Sequence, residues 1–266
     1  MLKDITLGQY YPADSVIHKM DPRTKLLATV VYVVSLFVFR NIPGFIVATA
    51  VLIALVLLSK VPFKLMAKGL KIIWVLVAIT AFFNVFFTPG DLLWQAGVIH
   101  ITWQGVRNAV FFSIRLIYLI LGTSIMTLTT TPNKLTDGLE EGLKPLNKIH
   151  IPVHEIALMM SIALRFIPLL GEETDRIKKA QMARGADFES GNMIQKVKSL
   201  VPILVPLFVS AFRRANDLAL AMEARCYHGG EGRTKMKPLH HEKRDYIAYV
   251  LMFAYLGAMI VIRVVG

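Results

Sequence analysis

Two arginines each end a nearly identical five-residue pattern. Residues 180–184 are Ala-Gln-Met-Ala-Arg and residues 221–225 are Ala-Met-Glu-Ala-Arg, so the two arginines lie 41 positions apart. In each copy two alanines lie one helical turn apart, and the arginine, with its long side chain and planar guanidinium, follows the second alanine. Small residues let another helix approach closely, and a guanidinium binds a carboxylate through two parallel hydrogen bonds. Such a helix end is suited to dock into an acidic groove on a partner protein.

The residues that follow the two arginines differ. Gly185 follows Arg184 and fits the left-handed position at which many helices end, whereas Cys226 follows Arg225. We therefore expect that helix termination explains only the first copy, and that both copies share a role of the arginine and its small neighbours. The predicted docking residues are Ala183, Arg184, Gly185, Ala224, Arg225 and Cys226.

The elements that must position these arginines lie in residues 131–244. A helix start at Thr131-Pro132-Asn133 and leucines at intervals of four predict a short amphipathic helix, with the leucines at Leu135, Leu139 and Leu143. After a break at residues 148–152, one long helix is predicted from about Val153 to Arg184. A second is predicted to contain Leu200 and to end near Arg225.

Each long helix begins apolar and ends polar. The apolar halves span about 13–18 residues, which is short for a membrane crossing. Arg165, Pro202 and Pro206 also interrupt them. We therefore favour helices that lie along the cytoplasmic membrane surface or pack under the spans; the alternative is that both cross the membrane, which as an even insertion leaves the rest of the topology unchanged.

The composition indicates an integral membrane protein. The 266 residues are 55% hydrophobic, with a mean hydropathy of +0.55 and a formal net charge of +12. A membrane protein carries such an excess in its cytoplasmic loops, so the charge does not indicate nucleic-acid binding. We predict an all-α protein with about five transmembrane helices plus long cytoplasmic-side helices. The predicted spans are roughly Lys25–Phe39, Phe45–Ser59, Ile72–Thr88, Ala109–Thr130 and Tyr246–Val265.

The distribution of lysine and arginine sets the predicted orientation. Basic residues cluster before the first span and between the second and third, and 18 of the 30 basic residues fall within 131–244. These regions are therefore predicted to be cytoplasmic, with the N-terminus inside. The predicted organisation is a cytoplasmic segment 1–24, four spans in 25–130, a cytoplasmic or interfacial domain 131–244 and a last span in 245–266.

These features resemble the T component of energy-coupling factor transporters. The resemblance rests on Ala183-Arg184-Gly185, on Ala224-Arg225-Cys226 and on the stretch His18–Leu26, which is similar to the opening of that family. It implies a non-catalytic scaffold in a prokaryotic plasma membrane, without cofactors. Arg184 and Arg225 would couple it to two ATP-binding-cassette subunits, the same or related. The sequence contains no phosphate-binding loop, so ATP would be bound by these partners.

The resemblance also implies a substrate-binding membrane subunit, either dedicated or exchangeable, held by the apolar helix halves. The residues predicted for that contact are Met159, Met160, Leu164, Ile203, Leu204 and Leu207. Packing of these halves against the spans of the same chain is the alternative. The cargo would be a vitamin or another micronutrient.

Three other functions stay open at this stage. A T component of a cobalt or nickel importer would share the same features, because another chain selects the cargo. A membrane enzyme acting on lipids would need acidic or histidine residues clustered near the interface. A self-contained carrier would need internal repeats and polar sites within the spans. No catalytic or metal-ligating residues are predicted.

Overall fold

The computed structural model describes residues 10–39, 41–96, 99–188, 192–230, 236 and 238–265. These residues are mainly helical. In chain order the elements are α1 (Val16–Lys19), α2 (Pro22–Val38), α3 (Ile42–Ser59), α4 (Phe63–Phe87), β1 (Leu92–Ala96), β2 (Ile99–Thr102), α5 (Trp103–Thr129), α6 (Pro132–Leu143), a 3-10 helix (Lys144–Ile149), α7 (Val153–Ala183), α8 (Met193–Ala224) and α9 (Lys243–Val265).

The chain divides into two compact units, and each is described by itself. The span unit comprises residues 10–139 and 239–265, and the α7–α8 unit comprises residues 140–238. The predicted amphipathic helix is confirmed as α6, and the two predicted long helices are confirmed as α7 and α8. Residues 1–9 of the predicted N-terminal segment lie outside the described residues.

The helix lengths confirm an all-α membrane protein with four to five candidate spans. Helices α3, α5, α7 and α9 are long and apolar enough to cross a membrane, and α4 is a fifth candidate with a 56° bend between Phe63–Lys71 and Ile73–Phe87. This set differs from the predicted one in a single member. Helix α2 has 17 residues, the lower limit for a crossing, whereas α7 has the length and composition of a span.

The connection between α4 and α5 contains a hairpin that the sequence did not predict. Strands β1 and β2 pair antiparallel, with Gln95 opposite His100 and Ala96 opposite Ile99. The hairpin ends are closed by Asp91, whose carboxylate accepts a 2.6 Å hydrogen bond from Nε2 of Gln104. Strands of four and five residues are too short to give a distinct alternating pattern, which is why no strand was predicted between the third and fourth spans.

The core of the span unit lies between α2, α3 and α5. Helix α2 packs against α5 and α9, and α5 also packs along α3 and α4. Leu36 and Phe39 are fully buried there, and the Phe45 ring lies 4.9 Å from the Phe39 ring in an edge-to-face contact. Gly122 of α5 allows α2 to come this close, because a Cβ atom at this position would overlap the ring of Tyr32.

An intramembrane arginine contributes to the same core. In α5, Arg115 donates a 2.9 Å hydrogen bond to the carbonyl oxygen of Phe39, the residue that ends α2. Its guanidinium also lies over the aromatic rings of Phe37, Phe45 and Phe112. These contacts give Arg115 a structural role in fixing the end of α2 against α5.

The stretch His18–Leu26 connects the starts of α2 and α9 with the end of α5. Asp21 caps α2 by accepting a 2.8 Å hydrogen bond from the Arg23 amide, and the Asp21 amide donates to the buried carboxylate of Asp245. The buried ammonium of Lys25 donates to the Thr129 carbonyl oxygen at 3.0 Å. The stretch His18–Leu26, which is similar to the opening of the family, therefore has a packing role in this fold.

His18 belongs to the same connection. Its ring lies 2.7 Å from the hydroxyl oxygen of Ser15 and 2.9 Å from the carbonyl oxygen of Tyr11. Burial lowers the pKa of His18 below its usual value of 6.5. The neutral imidazole, with one donor and one acceptor nitrogen, matches these two neighbours.

Candidate functional site

Helices α7 and α8 pack against each other within their unit. Helix α7 begins after Pro152, and the amide of its first residue, Val153, donates to the side-chain oxygen of Asn147 at 3.3 Å. Farther along, Arg214 of α8 forms an ion pair with Glu173 of α7 at 3.3 Å. This contact fixes the alignment of the helices that carry the two arginine patterns.

The first pattern ends α7 in a Schellman motif. The Gly185 amide donates to the Met182 carbonyl and the Ala186 amide donates to the Gln181 carbonyl, each at 3.0 Å. Arg184 is the C-cap residue, and Gly185 has a left-handed backbone with φ of 89°. This is the helix end that glycine favours.

The second pattern ends α8 in the same motif without a glycine. The Cys226 amide donates to the Glu223 carbonyl at 2.8 Å, and the Tyr227 amide donates to the Met222 carbonyl at 3.0 Å. Cys226 takes the left-handed backbone itself, with φ of 56°. The expectation that helix termination explains only the first copy is therefore wrong, because the backbone hydrogen bonds fix the geometry despite the cost of a Cβ atom.

The two motifs leave both guanidinium groups unused. The last carbonyls of each helix already accept backbone hydrogen bonds, so neither arginine is needed as a side-chain cap. Arg184 and Arg225 are both exposed, and within the described part of the chain neither side chain has an ion pair or hydrogen bond. The flanking Ala183 and Ala224 are exposed as well. Each helix therefore ends in an exposed cation beside a small, smooth face.

The six residues predicted to contact a substrate-binding subunit differ in exposure. Met159, Met160 and Leu204 are exposed, whereas Leu164 and Leu207 are half-buried. Ile203 is only 7% exposed, so its side chain packs within this chain. Of the six, the two methionines and Leu204 are therefore the side chains available to a partner, and Ile203 is not.

The described residues offer little for metal or acid–base chemistry. No group of three or more histidine, cysteine, aspartate or glutamate side chains in this part of the chain is arranged to hold a metal ion. The single cysteine, Cys226, is exposed and directly follows Arg225 at the end of α8. The arrangement is suited to binding a protein partner through charge and shape.

Comparison with known proteins agrees with this geometry. The model of the family described as cobalt transport protein, CbiQ, matches residues 13–236. The energy-coupling factor transporter transmembrane protein EcfT of Clostridium kluyveri is 53% identical over 99% of this chain and 98% of its own length. The chain belongs to the family of T components of energy-coupling factor transporters. Proteins of the same name from Heliobacterium modesticaldum and Bacillus subtilis are 50% and 46% identical, over 94% and 99% of this chain and 94% and 100% of their own lengths.

Sequence reasoning missed two residues that matter for this T component. Asp245 has a side chain that is almost fully buried and connects α2 with α9, which only the three-dimensional contacts reveal. Arg165 was treated only as an interruption of an apolar helix half. In the structure it lines a cleft together with Arg225. The signal in the sequence that could have pointed to Arg165 was its position as a lone cation within an apolar helical stretch.

Proposed function

We propose that this T component is the coupling subunit of an importer that contains two ATP-binding-cassette subunits and a substrate-binding membrane subunit. Arg184 and Arg225 each dock into one ATPase. The observation that carries the proposal is the repeated helix end: two helices of one unit finish in the same Schellman motif, each with an exposed, unpaired arginine at the C-cap.

The geometry suggests how motion would be transmitted. ATP binding and hydrolysis move the two ATPases relative to each other, and the ends of α7 and α8 follow because each is anchored by its arginine. The angle between the two helices changes, and the apolar halves carry that change to the substrate-binding subunit. Exposed Met159, Met160 and Leu204 support this assignment, since methionine adapts to changing partner surfaces. The T component itself performs no catalysis in this mechanism.

Replacing the two arginines tests the docking proposal. We expect Arg184→Ala and Arg225→Ala each to weaken binding of the ATPase subunits by about 2 kcal/mol or more, about thirtyfold in Kd, as for central arginines of other interfaces. The double variant should lose ATPase co-purification and substrate uptake. The measurement is titration of the purified ATPases onto the tagged chain in lipid nanodiscs.

Matched controls remove a positive charge elsewhere on the same helices. Arg176 of α7 and Arg213 of α8 are exposed and are not at a helix end. Arg176→Ala and Arg213→Ala should therefore bind the ATPases as the parent does. Unchanged ATPase co-purification by the Arg184→Ala and Arg225→Ala double variant would overturn the proposal.

The cargo is proposed to be a vitamin or a similar micronutrient selected by the substrate-binding subunit. The family description names cobalt transport, which favours a second candidate, a cobalt or nickel importer. Co-purification of the membrane partner from native cells, followed by uptake of labelled vitamins and of Co²⁺, separates the two. Uptake of Co²⁺ alone would replace the vitamin proposal.

A lipid-modifying enzyme is the alternative from another class. Membership of a transporter family argues against it. Pull-down of the tagged chain tests the choice directly: a chain isolated alone that modifies lipids would contradict the coupling role.

A further inference from the structure

A cleft of about 610 Å³ lies at the end of α8 that carries Arg225, entirely within the α7–α8 unit. Its apolar wall consists of Leu158 and Ile162 of α7 together with Leu218 and Met222 of α8. Arg165 and Arg225 both line this cleft, although they are 60 positions apart in the chain.

The cleft holds two cations and, among the described residues that line it, no acidic side chain. Neither Arg165 nor Arg225 has an ion pair or hydrogen bond through its guanidinium within the described part of the chain. Two like charges in one cleft repel each other, and an entering anion removes that repulsion while pairing with both. The apolar wall limits water around such an anion, which strengthens the attraction.

We propose that Arg165 and Arg225 together bind one acidic side chain of the ATPase subunit that docks at the end of α8. The inference rests on the proposed coupling function and adds a second cation to one of its two docking points. The occupant is assigned to a protein because the cleft is continuous with the exposed helix end that docks, and because its cations complement a carboxylate. Arg184 is not part of this cleft, so the two docking points differ in the charge they present.

This assignment explains why a cation stands in the apolar half of α7. Arg165 is exposed, and packing against a membrane subunit gives no reason for a charge there. As a partner of Arg225 it helps to hold a carboxylate in a two-arginine clamp. Loss of either arginine leaves the acidic side chain of the ATPase partly desolvated with a single cation.

The test uses the complete transporter assembled in nanodiscs and measures ATPase affinity for Arg165→Gln, Arg225→Gln and the double variant. We expect each single variant to lower the affinity at least about fivefold. The fold-loss of ATPase affinity in the double variant should be smaller than the product of the two single-variant fold-losses, because both arginines contact one carboxylate. Arg213→Gln, which removes the same charge from α8 outside the cleft, should match the parent.

Cys226 provides a second readout because it lines the same cleft and is the only cysteine of the chain. Bound ATPase subunits should slow maleimide labelling of Cys226 in the parent, and Arg165→Gln should weaken that protection. Arg165→Lys keeps the positive charge but lacks the planar guanidinium, so the protection of Cys226 should lie between those of the parent and Arg165→Gln. This variant replaces Arg165→Gln in the test if Arg165→Gln does not fold.

The outcomes separate this inference from the proposed function. If Arg165→Gln has the same ATPase affinity as Arg213→Gln while Arg225→Gln weakens ATPase binding, the two-arginine clamp is wrong and the docking proposal stands. If neither Arg225→Gln nor Arg184→Gln affects ATPase binding, both are wrong. If inorganic phosphate protects Cys226 in the chain without ATPases as strongly as the ATPases do, the cleft is a small-anion site and the clamp is overturned.

Discussion

Cys226 occupies a backbone position that favours glycine. Both arginine patterns end in the same pair of backbone hydrogen bonds, yet one has Gly185 and the other has Cys226 at the left-handed residue. A side chain in this conformation costs about 1–2 kcal/mol relative to glycine. No atom lies within 4 Å of a Cβ built on Gly185, so the cost of a side chain there comes from the left-handed backbone and not from lack of space.

Exchanging the residues at these positions tests this account. We expect Cys226→Gly to stabilise the chain by up to about 1 kcal/mol and Gly185→Ala to destabilise it by a similar amount. Gly171→Ala is the matched control: Gly171 lies inside α7 with open space around it, so alanine should stabilise the helix. Thermal unfolding in detergent measures all three. Equal melting temperatures for Gly185→Ala and Gly171→Ala would contradict the left-handed cap as the cause.

At the scale of elements, the helices were predictable and their connections were not. The periodicity around Leu139 and the apolar-to-polar change along α7 predicted those helices, because helix formation depends on neighbouring residues. Asp245 was missed because its partner, the Asp21 amide, lies 224 positions away. The left-handed backbone of Cys226 was missed for a related reason: the hydrogen bonds donated by the Cys226 and Tyr227 amides fix a conformation that the residue type alone disfavours.

Asp245 allows a direct test of how the span unit is held together. One carboxylate oxygen accepts from the Asp21 amide and the other from the Glu242 amide, each at 2.8 Å, so a single side chain serves the starts of α2 and α9. We expect Asp245→Ala to destabilise the unit by about 2 kcal/mol or more, because a buried donor loses its acceptor. Asp245→Asn retains one acceptor oxygen and should lose less. An Asp245→Ala variant with the same melting temperature as the parent would refute this role.

At the scale of the whole molecule, charge distribution and helix length favour different membrane crossings for α2 and α7. Charge distribution favours crossings by α2, α3, α4, α5 and α9, which would place residues 131–244 on the cytoplasmic side. Length and composition alone would include α7, whereas α2 has 17 residues. The coupling proposal requires the first arrangement, because both arginine patterns and the Arg165 cleft must be accessible to cytoplasmic ATPases.

Two cysteine positions distinguish the arrangements. If α7 replaces α2 as a span, the exposed Lys148, which precedes α7, and Cys226, which follows α8, lie on opposite sides of the membrane; if α7 does not cross, both are cytoplasmic. We expect a membrane-impermeant maleimide to label native Cys226, and Lys148→Cys in a Cys226→Ser background, only in inverted vesicles. The exposed Leu93 of β1, changed to cysteine in the same background, should be labelled only in intact cells and so controls for access to the outer face. Labelling of native Cys226 in intact cells, while the Lys148→Cys variant is labelled only in inverted vesicles, would place α7 across the membrane and would remove Arg225 from the reach of a cytoplasmic ATPase.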